Sequence, residues 1–190
     1  MAVLARRAIF RRLRYNVIVE LVVTQTRGHS GVLECGSASY PCALGKGGVS
    51  ARKREGDGAT PTGVFTLRRV FYRADKIARP QTALPIAAIG AGDGWCDYPE
   101  DPLYNRQVKL PYKARAERLW RGDDLYDVVV VLGYNDEPVV TGRGSAIFLH
   151  VASADMGATE GCVALKLPDL VEILRQVRAG DSLRVTAAKD

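Results

Sequence analysis

The longest apolar stretches of the chain are short and rich in β-branched residues. Residues 127–134 (DVVVVLGY) and 146–151 (AIFLHV) do not alternate with polar positions, which predicts two central strands covered on both faces. Residues 15–24 predict a first strand, and Arg27-Gly-His-Ser-Gly31 predicts a turn into a second near residues 32–35, so the chain opens on a hairpin. A further strand is expected at 64–69 and a short closing one at 182–186. Over residues 168–179, Leu170, Val171, Ile173, Leu174 and Val177 fall on one helical stripe. Pro168 stands near the first position and Gly180 just past the end, which predicts a helix. Two segments lack such patterning. Residues 45–63 (GKGGVSARKREGDGATPTG) are too polar and too Gly-rich for core and predict a long surface loop. Residues 80–111 hold five of the nine prolines and predict an irregular excursion over the domain face.

Length changes the picture little: 190 residues suit one domain with a proper core, expected over 15–190 behind a basic segment at 1–14. An apolar fraction of 47% and a charged fraction of 25% exclude a disordered chain. No apolar run approaches the ~18 residues of a spanning helix. The net charge of +6 favours acidic partners, part of it gathered in Arg6, Arg7, Arg11, Arg12 and Arg14. That arm reads first as a solvated tail, with membrane-surface contact as the alternative; a nucleic-acid partner is not expected. Tyr15, Asn16 and Glu20 interrupt the apolar run that a secretory signal would need after its basic start. Cys35, Cys42, Cys96 and Cys162 form no C-x-x-C pair, which argues against a zinc ribbon or a redox pair. Cys35 and Cys42 could be bridged across paired strands, but buried thiols packing as small hydrophobes are the simpler expectation.

Candidate chemistry narrows quickly, because the chain has only two histidines. His29 lies in a Gly-bounded turn and reads as solvated. His150 ends a buried strand, where an imidazole needs a hydrogen-bond partner or a task. Cys162 stands twelve residues later within Thr159-Glu-Gly-Cys-Val163, in which Gly161 permits a sharp bend before it. A free thiol is only about 3% ionised at pH 7, so a nucleophilic cysteine needs a neighbour that takes its proton. His150 is the candidate, if the loop between them returns the chain to the adjacent strand. The backbone N–H groups of Gly161 and Cys162 are candidate donors to an oxyanion, and a backbone carbonyl such as that of Val151 could orient the ring. The nucleophile elbow, the phosphate loop and the zinc-protease helix signature are absent, and Gly90-Ala-Gly-Asp-Gly94 lacks the full dinucleotide fingerprint. No cofactor or metal is expected.

These residues resemble the L,D-transpeptidase catalytic domain of YkuD type, over about residues 17–185. The resemblance rests on strand-borne His150, on Thr-x-Gly-Cys-Val at 159–163, and on the upstream Gly56-Asp-Gly-Ala-Thr-Pro-Thr-Gly-Val-Phe65. It implies a mainly β catalytic domain, a sandwich or mixed sheet with one helix near the C-terminus. The implied substrate is the peptidoglycan stem peptide. Cys162 would attack the bond after diaminopimelate, terminal D-Ala would leave, and an amine would resolve the thioester into a cross-link or an attachment. His150 would be the base, with Gly161 and Thr159 at the oxyanion loop. Apart from the resemblance, Trp95, Tyr98, Tyr104, Asn105, Trp120 and Arg143 are candidates for the substrate groove, since aromatic faces suit glycan and peptide contacts; the alternative is that the rings form the loop's own small core. The implied location is the periplasm or cell envelope. Many members carry His or Lys where this chain has Glu160, and Arg where it has Ala164; losing that Arg removes a bidentate carboxylate clamp. A hydrolytic relative and a non-catalytic wall-binding module are the alternative readings.

Overall fold

The computed structural model describes residues 18–187; the expected basic segment at 1–14 and the start of the strand expected from 15 lie outside them. In chain order the elements are β1 (Glu20–Arg27), β2 (Ser30–Cys35), β3 (Ala38–Ala43), β4 (Val49–Ser50), β5 (Thr60–Pro61), β6 (Gly63–Tyr72) and β7 (Ile86–Ala88). There follow β8 (Asp93–Cys96), β9 (Gln107–Lys109), β10 (Ala116–Arg118), β11 (Val128–Leu132), β12 (Phe148–Val151), β13 (Val163–Leu165), α1 (Leu167–Leu174) and β14 (Ser182–Thr186). The domain is thus mainly β, as the strand pattern predicts. Among the described residues, no helix is long and apolar enough to cross a membrane.

One nine-stranded mixed sheet organises the fold, in the order β11-β12-β13-β3-β2-β1-β14-β6-β7. Because β11 also pairs with β6, the sheet closes on itself with β7 attached alongside β6. Alternation along each strand divides its side chains between an inner and an outer face. From β11 to β13 the inner set is Val128, Val130, Leu132, Leu149, Val151, Val163 and Leu165, which join Leu21, Val23, Leu33, Leu183 and Val185 in the main core. The outer set, Val129, Val131, Phe148 and Cys162, packs with Phe71, Leu119 and Tyr126 in a second cluster. Burial on both faces explains why β11 reads as an unbroken apolar run.

The second cluster is covered by what the sequence presents as an irregular excursion. Residues 80–111 in fact supply β7, β8 and β9, and β10 completes a small antiparallel sheet in the order β10-β8-β9. Trp95 stands edge-on to Phe148 with ring centroids 5.1 Å apart, Arg73 lies 3.9 Å over the ring of Trp120, and Tyr98 donates to Glu100. Trp95 and Trp120 pack against the second cluster, whereas Tyr98 is exposed. α1 ends at Leu174, earlier than its apolar stripe suggests: the amides of Gln176 and Val177 both return to the carbonyl of Ile173, and Asp181 accepts from the Arg178 amide. Val177 still reaches the main core from this turn. The four cysteines are free, buried thiols.

Leu149 is 1% exposed on the inner face of β12. Truncating it leaves a cavity that a closed sheet cannot collapse. Leu149→Ala is expected to lower the unfolding free energy by about 2–5 kcal/mol, measured by denaturant titration.

Candidate active site

Parallel pairing of β12 with β13 sets Leu149 opposite Val163 and His150 opposite Ala164. Cys162 immediately precedes β13, so its side chain falls on the outer face together with Phe148 and His150. The thiol and the imidazole line one cavity of about 530 Å³, with Lys53, Glu55, Glu117, Arg121, Tyr126, Ser145 and Thr159 among its walls. The loop between the two residues therefore does return the chain to the adjacent strand, with both side chains on one side of the sheet.

The local fold fixes each partner. His150 Nδ1 lies 2.8 Å from the Val151 carbonyl oxygen, which sets Nδ1 as the protonated nitrogen and leaves Nε2 as the basic one. The Tyr126 ring stands edge-on to the imidazole, centroids 5.3 Å apart. The Cys162 thiol donates to the Ala146 carbonyl at 3.2 Å and accepts from the Phe148 amide at 3.3 Å. Ala146 holds a φ of 52°, uncommon for a residue with a Cβ, and its amide is tied at 3.0 Å to Asn105 Oδ1.

Beneath the sulfur, the Thr-x-Gly-Cys turn is docked on residues 45–63. Thr159 Oγ1 donates to the Cys162 carbonyl at 2.7 Å and Thr60 Oγ1 donates to the same oxygen at 3.3 Å. Gly161 has a φ of 127°, and a Cβ there would sit 2.7 Å from the Ala59 carbonyl, so only glycine fits this approach. Gly45 is likewise required, since its Cβ would sit 2.2 Å from the Gly58 carbonyl. The segment expected as a surface loop is therefore partly a foundation: Thr60 is fully buried, Ala59 and Lys53 nearly so, and β4 pairs with β5 inside it. Asp57 organises it by accepting from the amides of Ala59 and Arg54 and from Lys53 Nζ.

Other expected site residues are placed differently. The Gly161 amide donates to Thr159 Oγ1 at 3.1 Å, so Gly161 shapes the turn and the Cys162 amide is the remaining oxyanion candidate. Arg143 is exposed and lines a separate cavity with Arg52 and Arg54. Tyr104 is buried, donating to Glu55 Oε2 at 2.5 Å and accepting from the Gly144 amide. Asn105 donates to the carbonyls of Tyr134 and Asn135 and accepts from Trp95 and Ala146, which uses its whole amide group. Tyr104 and Asn105 are not among the walls of the Cys162 cavity, and Asn105 lines a separate one with Trp95 and Tyr134; both brace the segment that carries Ser145 and Ala146. Conversely, Glu117, Arg121, Tyr126, Lys53, Glu55 and Ser145 line the cavity without having stood out in the sequence. The one signal for Glu117 and Arg121 is their place either side of Leu119-Trp120, which reads equally well as a solvated strand end. Among the described residues, no group of three or more His, Cys, Asp and Glu side chains is arranged to hold a metal ion.

Electrostatics set the resting protonation. Burial pushes the Cys162 thiol up to about 12; Glu117 adds to the rise, while the Phe148 amide and Lys53 oppose it. Burial pushes His150 down to about 4, against the opposing pull of the Val151 carbonyl. At neutral pH the pair is a thiol beside a neutral imidazole, in a cavity that holds acids and bases of both signs.

A closed, mainly β sheet thus brings a cysteine and a histidine to one cavity, the two residue types that a cysteine enzyme needs together. The L,D-transpeptidase catalytic domain (YkuD) family model matches residues 26–185, and the chain belongs to that family. No curated protein matches the sequence. Among solved structures, L,D-transpeptidase 1 of Mycobacterium tuberculosis is 13% identical with a TM-score of 0.40, the likeness covering 90% of this chain and 62% of that one. An L,D-transpeptidase of Mycobacterium smegmatis is 16% identical with a TM-score of 0.44, covering 90% and 59%. L,D-transpeptidase 3 of Mycobacterium tuberculosis, in complex with a faropenem-derived adduct, is 17% identical with a TM-score of 0.40, covering 89% and 60%. The chain thus spans about three fifths of the length of the structures it matches.

The depressed His150 has a stability consequence. Between about pH 6.5 and 4 the unfolded chain takes up a proton that the folded chain refuses, so stability falls as pH is lowered through that window. The loss attributable to His150 is on the order of 3 kcal/mol. Urea unfolding of wild type and His150→Gln at pH 7 and pH 4.5 checks it: the acid-induced loss is expected to be smaller in the variant.

Proposed function

We propose that the chain is a cysteine acyltransferase acting on peptidoglycan stem peptides in the cell envelope, as an L,D-transpeptidase. One observation carries the reading: in a chain of this family, the Cys162 thiol and an imidazole fixed by the Val151 carbonyl share one face of the sheet and one cavity. In this reading the stem peptide enters the cavity with the carbonyl that follows diaminopimelate above Cys162 Sγ. His150 Nε2 takes the thiol proton as the C–S bond forms, and the Cys162 amide donates to the developing oxyanion. His150 then hands its proton to the departing nitrogen of D-Ala. An amine next attacks the thioester, restores the thiol and leaves a new amide; water in its place gives hydrolysis.

Burial pushes the thiol up to about 12 and the imidazole down to about 4, and both shifts favour the neutral pair over the thiolate–imidazolium pair. In this reading the resting pair is neutral, and the proton passes to His150 as the sulfur attacks the carbonyl. Substrate docking also excludes water from the cavity, which strengthens each of these interactions.

Incubation with a tetrapeptide ending in D-Ala tests the reading, with released D-Ala and the acyl-enzyme read by mass spectrometry. Wild type is expected to release D-Ala and gain the tripeptidyl mass. Cys162→Ala and Cys162→Ser are expected to do neither while unfolding at wild-type temperatures, and His150→Ala to be slower by about 10²–10⁴-fold. Near wild-type turnover in the serine variant, or D-Ala release without an acyl-enzyme on Cys162, would contradict it.

A further inference from the structure

Turning an alkylammonium into an amide removes two protons from nitrogen. The first must leave before the nitrogen has a lone pair with which to attack; the second leaves after the C–N bond forms. At pH 7 a lysine-like amine is unprotonated in fewer than about one molecule in a thousand, so an enzyme that transfers to amines gains from a base placed where the ammonium docks. His150 offers a single basic nitrogen, and Cys162 must also be reprotonated when the thioester opens.

The cavity holds four carboxylates, and their partners differ. Asp97 is paired with Arg115 at 3.0 Å and Glu160 with Lys46 at 2.8 Å. Glu55 Oε2 accepts the hydroxyls of Tyr104 and Ser145. Glu117 accepts one hydrogen bond at Oε1, from the Tyr126 hydroxyl at 2.6 Å, and none at Oε2 among the described residues. The cation nearest to it, Arg121, stands 3.8 Å away, beyond hydrogen-bond reach, and holds Asp123 with two bonds of 2.8 and 2.6 Å. Tyr126 joins this carboxylate to the imidazole, since the hydroxyl that meets Glu117 belongs to the ring that packs edge-on against His150.

We propose that Glu117 is the ammonium site of this cavity, binding the acceptor amine beside the Cys162 thioester and taking its first proton. The proposal rests on the acyl-transfer reading above, in which an amine is the acceptor, and adds the group that binds and deprotonates its ammonium form. The steps balance. The ammonium gives one proton to the Glu117 carboxylate and becomes a free amine. Its lone pair forms the C–N bond while the carbonyl electron pair moves onto oxygen. The resulting nitrogen cation gives its second proton to His150 Nε2. The oxygen pair then re-forms the carbonyl, the C–S bond breaks, and His150 returns that proton to sulfur. Glu117 releases the first proton to water through the open cavity. Burial supports the role by raising the proton affinity of Glu117 above that of an ordinary carboxylate, with the Tyr126 hydroxyl and Arg121 opposing and Asp97 and Glu55 reinforcing the rise.

The full chain with Glu117→Gln tests the proposal, since the amide keeps an oxygen for Tyr126 to donate to. D-Ala release from the tetrapeptide reads acylation. Transfer of the tripeptidyl group is then measured to methylamine, protonated at pH 7, and to methoxyamine, unprotonated at pH 7. With each transfer rate normalised to acylation by the same variant, transfer to methylamine is expected to fall by about 100-fold and transfer to methoxyamine to be retained. Should the Gln variant not fold, Glu117→Asp, with its carboxylate drawn back by one methylene, is expected to show the same selective loss. Transfer to methylamine within about threefold of wild type in the folded variant, or an equal loss with both amines, overturns the proposal while leaving the acyl-enzyme intact. A wild-type protein that releases no D-Ala and forms no acyl-enzyme overturns the transfer reading, and this proposal with it.

Discussion

The parallel pairing of β12 with β13 is the constraint on which the site depends. Because His150 lies opposite Ala164, the imidazole and the Cys162 side chain occupy the same face of the sheet. A slip of one residue in that register would turn one of the two into the main core. The register is held from the inner face, where Leu149, Val151, Val163 and Leu165 are packed among the largest buried side chains. Hydrophobic burial on one side of the sheet thus fixes polar geometry on the other.

Around that pairing the polypeptide builds a braced pocket. Two threonine hydroxyls, from Thr60 and Thr159, converge on the Cys162 carbonyl, and the sulfur is held between the Ala146 carbonyl and the Phe148 amide. Asn105 carries the unusual backbone of Ala146 from below. Burial favours the neutral form of both the thiol and the ring. Burial also raises the other three thiols, Cys42 to about 12, so in the proposed reading it is position that singles out Cys162. Among the four cysteines, only Cys162 lines the cavity with a histidine.

The elements that the sequence made legible are those in which one force dominates. β11 and β12 are apolar on both faces, and His150 and Cys162 are rare residue types in a distinctive setting. β14 is recovered at its observed bounds, 182–186. β3 was hidden because its polar Ser39 and its Pro41 face away from the core, which erases the apolar run. The small sheet of β8, β9 and β10 was hidden because strands of three or four residues have too little length for a period to show. Residues 45–63 are only partly a surface loop because glycine density marks close backbone packing as readily as solvent exposure; Gly45 and Gly47 are the former. Tyr104 and Asn105 have side chains suited to a groove, but their hydrogen bonds run into the protein. Arg143 belongs to a neighbouring cavity. Glu117 enters the site through the fold of the covering layer, a contact of long sequence separation that no local pattern encodes.

The account stands or falls on Cys162 being the nucleophile that His150 activates. Exposure of the intact protein to a carbapenem, followed by intact-mass analysis and peptide mapping, measures this directly. A single adduct on Cys162, with Cys35, Cys42 and Cys96 unmodified and labelling much slower in His150→Ala, is the predicted result. An adduct on another residue, or labelling of Cys162 at an unchanged rate without the imidazole, would contradict it.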